Sequence, residues 1–312
     1  MSRRHRGQRA GVFISHAGVN LAVAEQVEVA LDAAGFDPWL DRSDIRAGAL
    51  LGKQLRQAIE ASRAVVLVWS KAAAASPWVA TEVLTAFHLD RYIVPCVLGA
   101  TELPQFLSRS VYFDLRKRRV DTLARLGEQV RRAPRSRNEF PGMTSYQSPE
   151  LLRASRALDE AQRAIGAQVD REALAEAKRL QAELNPRMRA AERRWRFDPM
   201  ILNLAGYHRK NAYMLKHWEE YSAGRFPKDP ILDEGRTRFF ATLFANPDDY
   251  SALNGLGNIL LFSGELAAAE FFSASAVRCA ARDGVVYREA KDDLAMIRRR
   301  TRGSRRGRMR YK

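Results

Sequence analysis

Residues 64–70, AVVLVWS, constrain the fold more than any other stretch of the chain. Six apolar residues in a row offer no polar face to water, so a strand here must be covered on both sides. The flanking segments supply the covers. NLAVAEQVEVALDAAG places Leu21, Ala24, Val27 and Leu31 three and four apart and stops at Gly35, which predicts a helix and its C-cap. LLGKQLRQAIEAS repeats that spacing at Leu51, Leu55 and Ile59, and WVATEVLTAFHLD follows the apolar run as a third helix. GVFIS, FDPWL, YIVPCVLG and SVYFDL read as further strands, with Pro38 assigning FDPWL to a sheet edge. Five short strands alternating with helices predict an α/β unit over residues 10–133, a mainly parallel, doubly wound sheet.

The second half has a different rhythm. Residues 134–149, within APRSRNEFPGMTSYQSPE, are rich in Pro, Ser, Arg and Gly and read as a linker. From 150 to 297 the pattern is helical. Leu151, Leu158 and Ile165 share a face, and Asp170 caps a helix carrying Leu174, Ala177 and Leu184 that NP at 185 is expected to end. A weak repeat follows, with Asp-Pro at 198 and Asn-Pro at 246 each leading a helix with a small-residue step, Ala205-Gly206 and Leu256-Gly257. Leu253, Leu256, Gly257, Leu260, Gly264, Ala269 and Ala276 fall at the spacing of a tetratricopeptide (TPR) unit, which this segment resembles; an irregular helical bundle is the alternative. Trp195, Tyr207, Trp218 and Phe239 are assigned to its core or groove.

Charge and cysteine narrow the function classes. The chain of 312 residues carries a net charge of +16, but unevenly. Nine Arg or Lys lie in 298–312 and four in 1–9, with no acid in either; elsewhere 39 basic face 36 acidic residues. The basicity belongs to two ends expected to be disordered, and the tail is expected to bind polyanions nonspecifically. Cys96 and Cys279 stand apart, without neighbours at metal spacing, so neither a disulfide framework nor a metal site is expected, and a reducing, cytoplasmic location fits. No apolar run suits a membrane span, and the basic N-terminus lacks the apolar segment of a signal peptide.

Three motifs of the first half, VFISHAG, PWLDRSDIRAG and VLVWSKAAAASPWVATEV, occur in the order and spacing of the TIR (Toll/interleukin-1 receptor) domain, which residues 10–133 resemble. The resemblance implies a flavodoxin-like five-stranded parallel sheet, here followed by an all-α, TPR-like domain. PWLDRSDIRAG corresponds to the second strand and the BB loop, with Asp41, Asp44, Ile45 and Gly48, through which TIR domains commonly contact one another. Asn20 stands where the family often has Asp. Some TIR domains, including many bacterial ones, cleave the nicotinamide–ribose bond of NAD; others are adaptors that only associate. The resemblance therefore implies either an NAD-cleaving enzyme of bacterial immunity, activated by self-association or by a partner on the helical half, or a scaffold.

The residues bear on that choice. In a doubly wound sheet of this order, ligands bind where strand order reverses, beyond the ends of the first and third strands. Ser15 and His16 end the first strand, Ser70 ends the third, and Ser76 and Pro77 open the next helix as N-cap and first residue. Trp78 and Glu82, four apart, share a face of that helix. No GxGxxG is present, so this is not the standard dinucleotide-binding fingerprint; the resemblance implies NAD as a substrate, with no resident cofactor expected. Departure of nicotinamide leaves positive charge on the ribose, which a fixed carboxylate stabilises. Glu82 is the catalytic candidate; the bland alternative is a solvated surface glutamate. Ser15, His16, Ser70 and Trp78 are candidate substrate contacts, although Trp78 can equally pack on the sheet and His16 can cap the turn. Trp39 and Asp41 are assigned structural roles, and Gly48 a backbone conformation barred to other residues. A third reading rests on the tail alone and makes the chain a nucleic-acid-associated protein.

Overall fold

In the computed structural model, which describes residues 9–40, 53–116, 119–134, 148–165 and 170–309, the chain divides into two compact units, Met1–Pro141 and Gly142–Lys312. The first is built on five strands: β1 (Gly11–Ser15), β2 (Asp37–Leu40), β3 (Ala64–Trp69), β4 (Tyr92–Val97) and β5 (Phe113–Asp114). All pair in parallel in the order β2-β1-β3-β4-β5, so the chain reverses its direction of winding between β1 and β3. β3 is buried at every position, as its unbroken apolar run requires. Pro38 sits on the edge strand β2, where its missing N–H costs no ladder bond. β5 is only two residues long, shorter than SVYFDL predicts.

Helices α1 (Leu21–Ala33), α2 (Lys53–Ala61), α3 (Lys71–Ala75), α4 (Pro77–His88) and α5 (Arg119–Arg132) surround the sheet. Ala24, Val27 and Leu31 of α1 pack with Leu126 and Val130 of α5 against Val12, Ile14, Val66 and Val68. Gly35, at φ 87°, ends α1 in the left-handed conformation predicted for its C-cap. Asp41, Asp44, Ile45 and Gly48, the BB-loop residues, lie outside the described residues, as do residues 1–8. Arg9, assigned to a disordered end, is held instead by a 2.6 Å ion pair to Asp32 and a bond to the Phe36 carbonyl.

The second unit is helical: α6 (Pro149–Ala164), α7 (Arg171–Arg194), α8 (Pro199–Lys216), α9 (Trp218–Ser222), α10 (Ile231–Ala245), α11 (Tyr250–Phe262), α12 (Leu266–Arg282) and α13 (Arg288–Met309). Asp170 and Asp198 cap α7 and α8 through their carboxylates, as expected. The linker assignment to 149 runs one residue into α6, because Ser148 caps the helix with Pro149 in its first turn.

Two expectations fail here. Asn185-Pro186 does not end α7, which runs on to Arg194. Leu184 and Met188 are buried on either side of the proline, and burying two such side chains at roughly 1.5–3 kcal/mol each offsets a proline cost of about 3 kcal/mol. The tail from 298 is not disordered up to 309 but continues α13. Arginine is a good helix former, and the helix extends from a packed segment. Arg298 pairs with Glu270, and the Arg300 guanidinium lies 4.4 Å from the centre of the Phe226 ring.

Glycines set the closest packing of this unit. The Phe239 ring of α10 fills the space where a Cβ on Gly206 of α8 or on Gly255 of α11 would sit, 2.7 and 2.3 Å away. Gly264, at φ 82°, makes the turn between α11 and α12. Among the described residues no helix is long and apolar enough to cross a membrane.

Candidate active site

The winding reverses between β1 and β3, and in sheets of this order ligands bind beyond the carboxyl ends of the strands at that point. β1 delivers Ser15 and then His16; β3 delivers Ser70 directly after Trp69. Ser70 caps α3, its hydroxyl accepting from the Ala73 N–H at 3.1 Å. Ser76 caps α4 in the same way through Val79, with Pro77 at the first helical position as predicted. Two successive caps turn the chain twice within seven residues and bring α4 back beside β1.

α4 is buried far more fully than a helix on the sheet surface: all nine residues from Val79 to Phe87 are buried. Glu82 is the one charged side chain among them and is only 1% exposed. A carboxylate costs several kcal/mol to remove from water unless it is compensated. Ser15 supplies part of that compensation: its hydroxyl donates to Glu82 Oε2 at 2.5 Å, across 67 residues of sequence. The reading of Glu82 as a solvated surface glutamate is therefore wrong, and its carboxylate is fixed at the end of β1.

The other candidates take distinct places. His16 is buried beside Ser15. Ser70 donates to Asn20 Oδ1 at 2.7 Å, tying the end of β3 to the start of α1. Asn20 does not cap α1, and no side-chain cap bond is made there; its amide oxygen is occupied by Ser70. Sequence reasoning missed this bridge, because the pairing depends on the β1–β3 register. Trp78 is half-buried on α4, one turn before Glu82. Trp39, given a structural role, stacks on Phe13 with ring centres 4.9 Å apart.

Together, Ser15 and Glu82 form an oriented carboxylate at the switch point, and Asn20 and Ser70 brace the adjacent rim. Such a carboxylate can stabilise a developing cation or hold hydroxyl groups. No curated protein and no solved structure gives a significant match to the chain. The family model described as TIR domain matches residues 12–129, and the α/β unit that carries Ser15 and Glu82 is a TIR domain.

Proposed function

We propose that this protein cleaves the nicotinamide–ribose bond of NAD, with Glu82 as the residue that stabilises the transition state. The supporting observation is a carboxylate held by Ser15 on the buried stretch of α4 at the switch point. When the bond between the ribose C1′ and the nicotinamide nitrogen breaks, the electron pair leaves with nicotinamide and neutralises its ring. Positive charge passes to the ribose, where the Glu82 carboxylate opposes it; water then adds at C1′ and loses a proton. Because the leaving group departs neutral, no general acid is required, and His16 serves as a wall of the pocket. Trp78, Ser70 and the turn after β1 are the proposed contacts to the rest of the substrate.

The burial of Glu82 implies a step before chemistry, since a carboxylate 1% exposed does not meet a dinucleotide. We assign that opening to self-association of the TIR domain, with the helical unit as the sensing element, an arrangement suited to bacterial immunity. The same burial favours the second reading, a TIR scaffold in which Glu82 only stabilises the fold. Incubating the protein with NAD over a dilution series and measuring nicotinamide separates the two. Cleavage with a specific activity that rises with protein concentration supports the enzyme; no release at any concentration leaves the scaffold.

A further inference from the structure

The helical unit contains a cavity of about 580 Å³, within the range of small-molecule sites. One face of α8 forms its floor, and α6, α11 and the start of α13 form its walls. Its polar groups are unusual for the interior of a helical bundle. On α11, Asn254 and Asn258 both donate their amide nitrogens to Asp293 Oδ2 of α13, at 2.9 and 2.8 Å. On α8, Asn211 donates to Asp159 of α6 at 3.2 Å. A carboxylate only accepts, so these contacts fix the orientation of each amide. The Asn211 and Asn254 oxygens are thereby turned away from their carboxylates, and neither has a hydrogen-bond donor among the described residues, although the side chains are 4% and 3% exposed. An acceptor buried without a donor loses its hydration with nothing in return.

Lys210 lines the same cavity from α8. Its ammonium stands 4.9 Å from the centre of the Tyr207 ring, and no ion pair joins it to a carboxylate among the described residues. Burial lowers its pKa, while Asp293 and Asp159 act the other way. Trp218, whose indole N–H is also unpaired, and Tyr221 lie against each other at the far end of α8, ring centres 5.7 Å apart.

We propose that this cavity binds a small ligand of the nucleoside monophosphate class. Such a molecule offers what each wall lacks. Its ribose hydroxyls and base N–H groups donate to the Asn211 and Asn254 oxygens and to Asp293. Its phosphate meets the Lys210 ammonium, and its base has an aromatic surface at Trp218 and Tyr221. The unit thus carries its own small-molecule site, and this inference does not rest on the reading of Glu82.

The test is titration of the full chain with adenosine monophosphate, read by calorimetry and by thermal melting. The measurements are made in the Glu82→Gln variant, so that NAD cleavage plays no part. One-to-one binding that raises Tm is expected, with affinity reduced about tenfold or more in Lys210→Met and in Asn254→Leu. Adenosine, without the phosphate, should bind the parent protein as weakly as adenosine monophosphate binds Lys210→Met. Melting of both variants without ligand checks that each remains folded, since Asn254→Leu also removes the bond to Asp293. An absence of binding at millimolar adenosine monophosphate overturns the proposal. So does binding that neither substitution weakens.

Discussion

Replacing Glu82 by Gln removes one charge and almost nothing else. The side chain keeps its length and an oxygen that accepts from the Ser15 hydroxyl, now 2.5 Å from Glu82 Oε2. The catalytic cost follows from Coulomb's law. A unit charge about 4 Å from a developing cation, at an effective dielectric of about 20, contributes roughly 4 kcal/mol. That corresponds to about a thousandfold in turnover, and losses of about 10²–10³-fold are typical where a preorganised group faces developing charge. The effect on stability is small and of mixed sign. The Ser15 bond becomes neutral and weakens by about 1 kcal/mol, while the penalty for burying a charge disappears. Melting within about 4 °C of the parent is therefore expected. Glu82→Ala differs, because it strands the Ser15 hydroxyl and opens a cavity, so it should melt clearly lower. The assay pairs nicotinamide release with thermal melting of each variant. If Gln at 82 melts normally and releases nicotinamide at the parental rate, the charge has no part in the chemistry and the electrostatic argument is wrong.

Gly255→Ala should destabilise the helical unit by about 1–3 kcal/mol in urea melts, because its Cβ would lie 2.3 Å from the Phe239 ring and outweigh the helix-propensity gain. Stability of the helical unit should fall in two stages on acidification. Burial, with Arg209 nearby, holds His208 down at about 4, so between its ordinary 6.5 and 4 the unfolded chain binds the extra proton and stability is lost as pH drops. Burial pushes the Asp229 carboxyl up, but bonds from Lys216, His217 and the Ile231 N–H overcome it and hold the pKa at about 2; its contribution is present above 3.8 and is lost as pH falls towards 2. Denaturant melts at a series of pH values check both stages, and His208→Gln should flatten only the first. Deleting 303–312, which carries five Arg or Lys, should reduce the salt slope of polyanion binding by about four to five units if all five contact phosphate. A filter-binding series in NaCl measures it, and this deletion spares the Arg298–Glu270 and Arg300–Phe226 contacts.

The sheet was legible in the sequence because its signal is local. Six apolar residues force β3 inside, Pro38 marks the edge, and the Ser76-Pro77 start of α4 is a property of neighbouring residues. Pro186 misled for a related reason: proline is a local helix breaker, yet burial of Leu184 and Met188 by other helices decides the outcome. The tail misled because charge density argues for disorder only when nothing upstream nucleates a helix, and α13 supplies that nucleus from Arg288. The acceptors of the helical cavity left no trace in the sequence. Asn211, Asn254 and Asp293 are ordinary polar residues on helices until α6, α8, α11 and α13 are assembled.

Glu82 shows where the two kinds of information meet. Its spacing from Trp78 suggested a site, but that spacing fits a surface helix equally well. What separates the two is the burial of every residue from Val79 to Phe87, together with a hydroxyl from β1. A charge in that setting is a liability for folding: glutamine would accept from Ser15 nearly as well, and an apolar side chain would pack without a desolvation cost. The Ser15 bond by itself therefore gives little reason for a carboxylate at position 82, whereas the proposed stabilisation of a cation would give one. In the proposed NAD cleavage, the same desolvation that makes the charge costly for the fold would make it effective on a ribosyl cation, since fewer water dipoles would oppose its field. On that proposal the burial of Glu82 would both strengthen its field and require an opening step to admit the substrate.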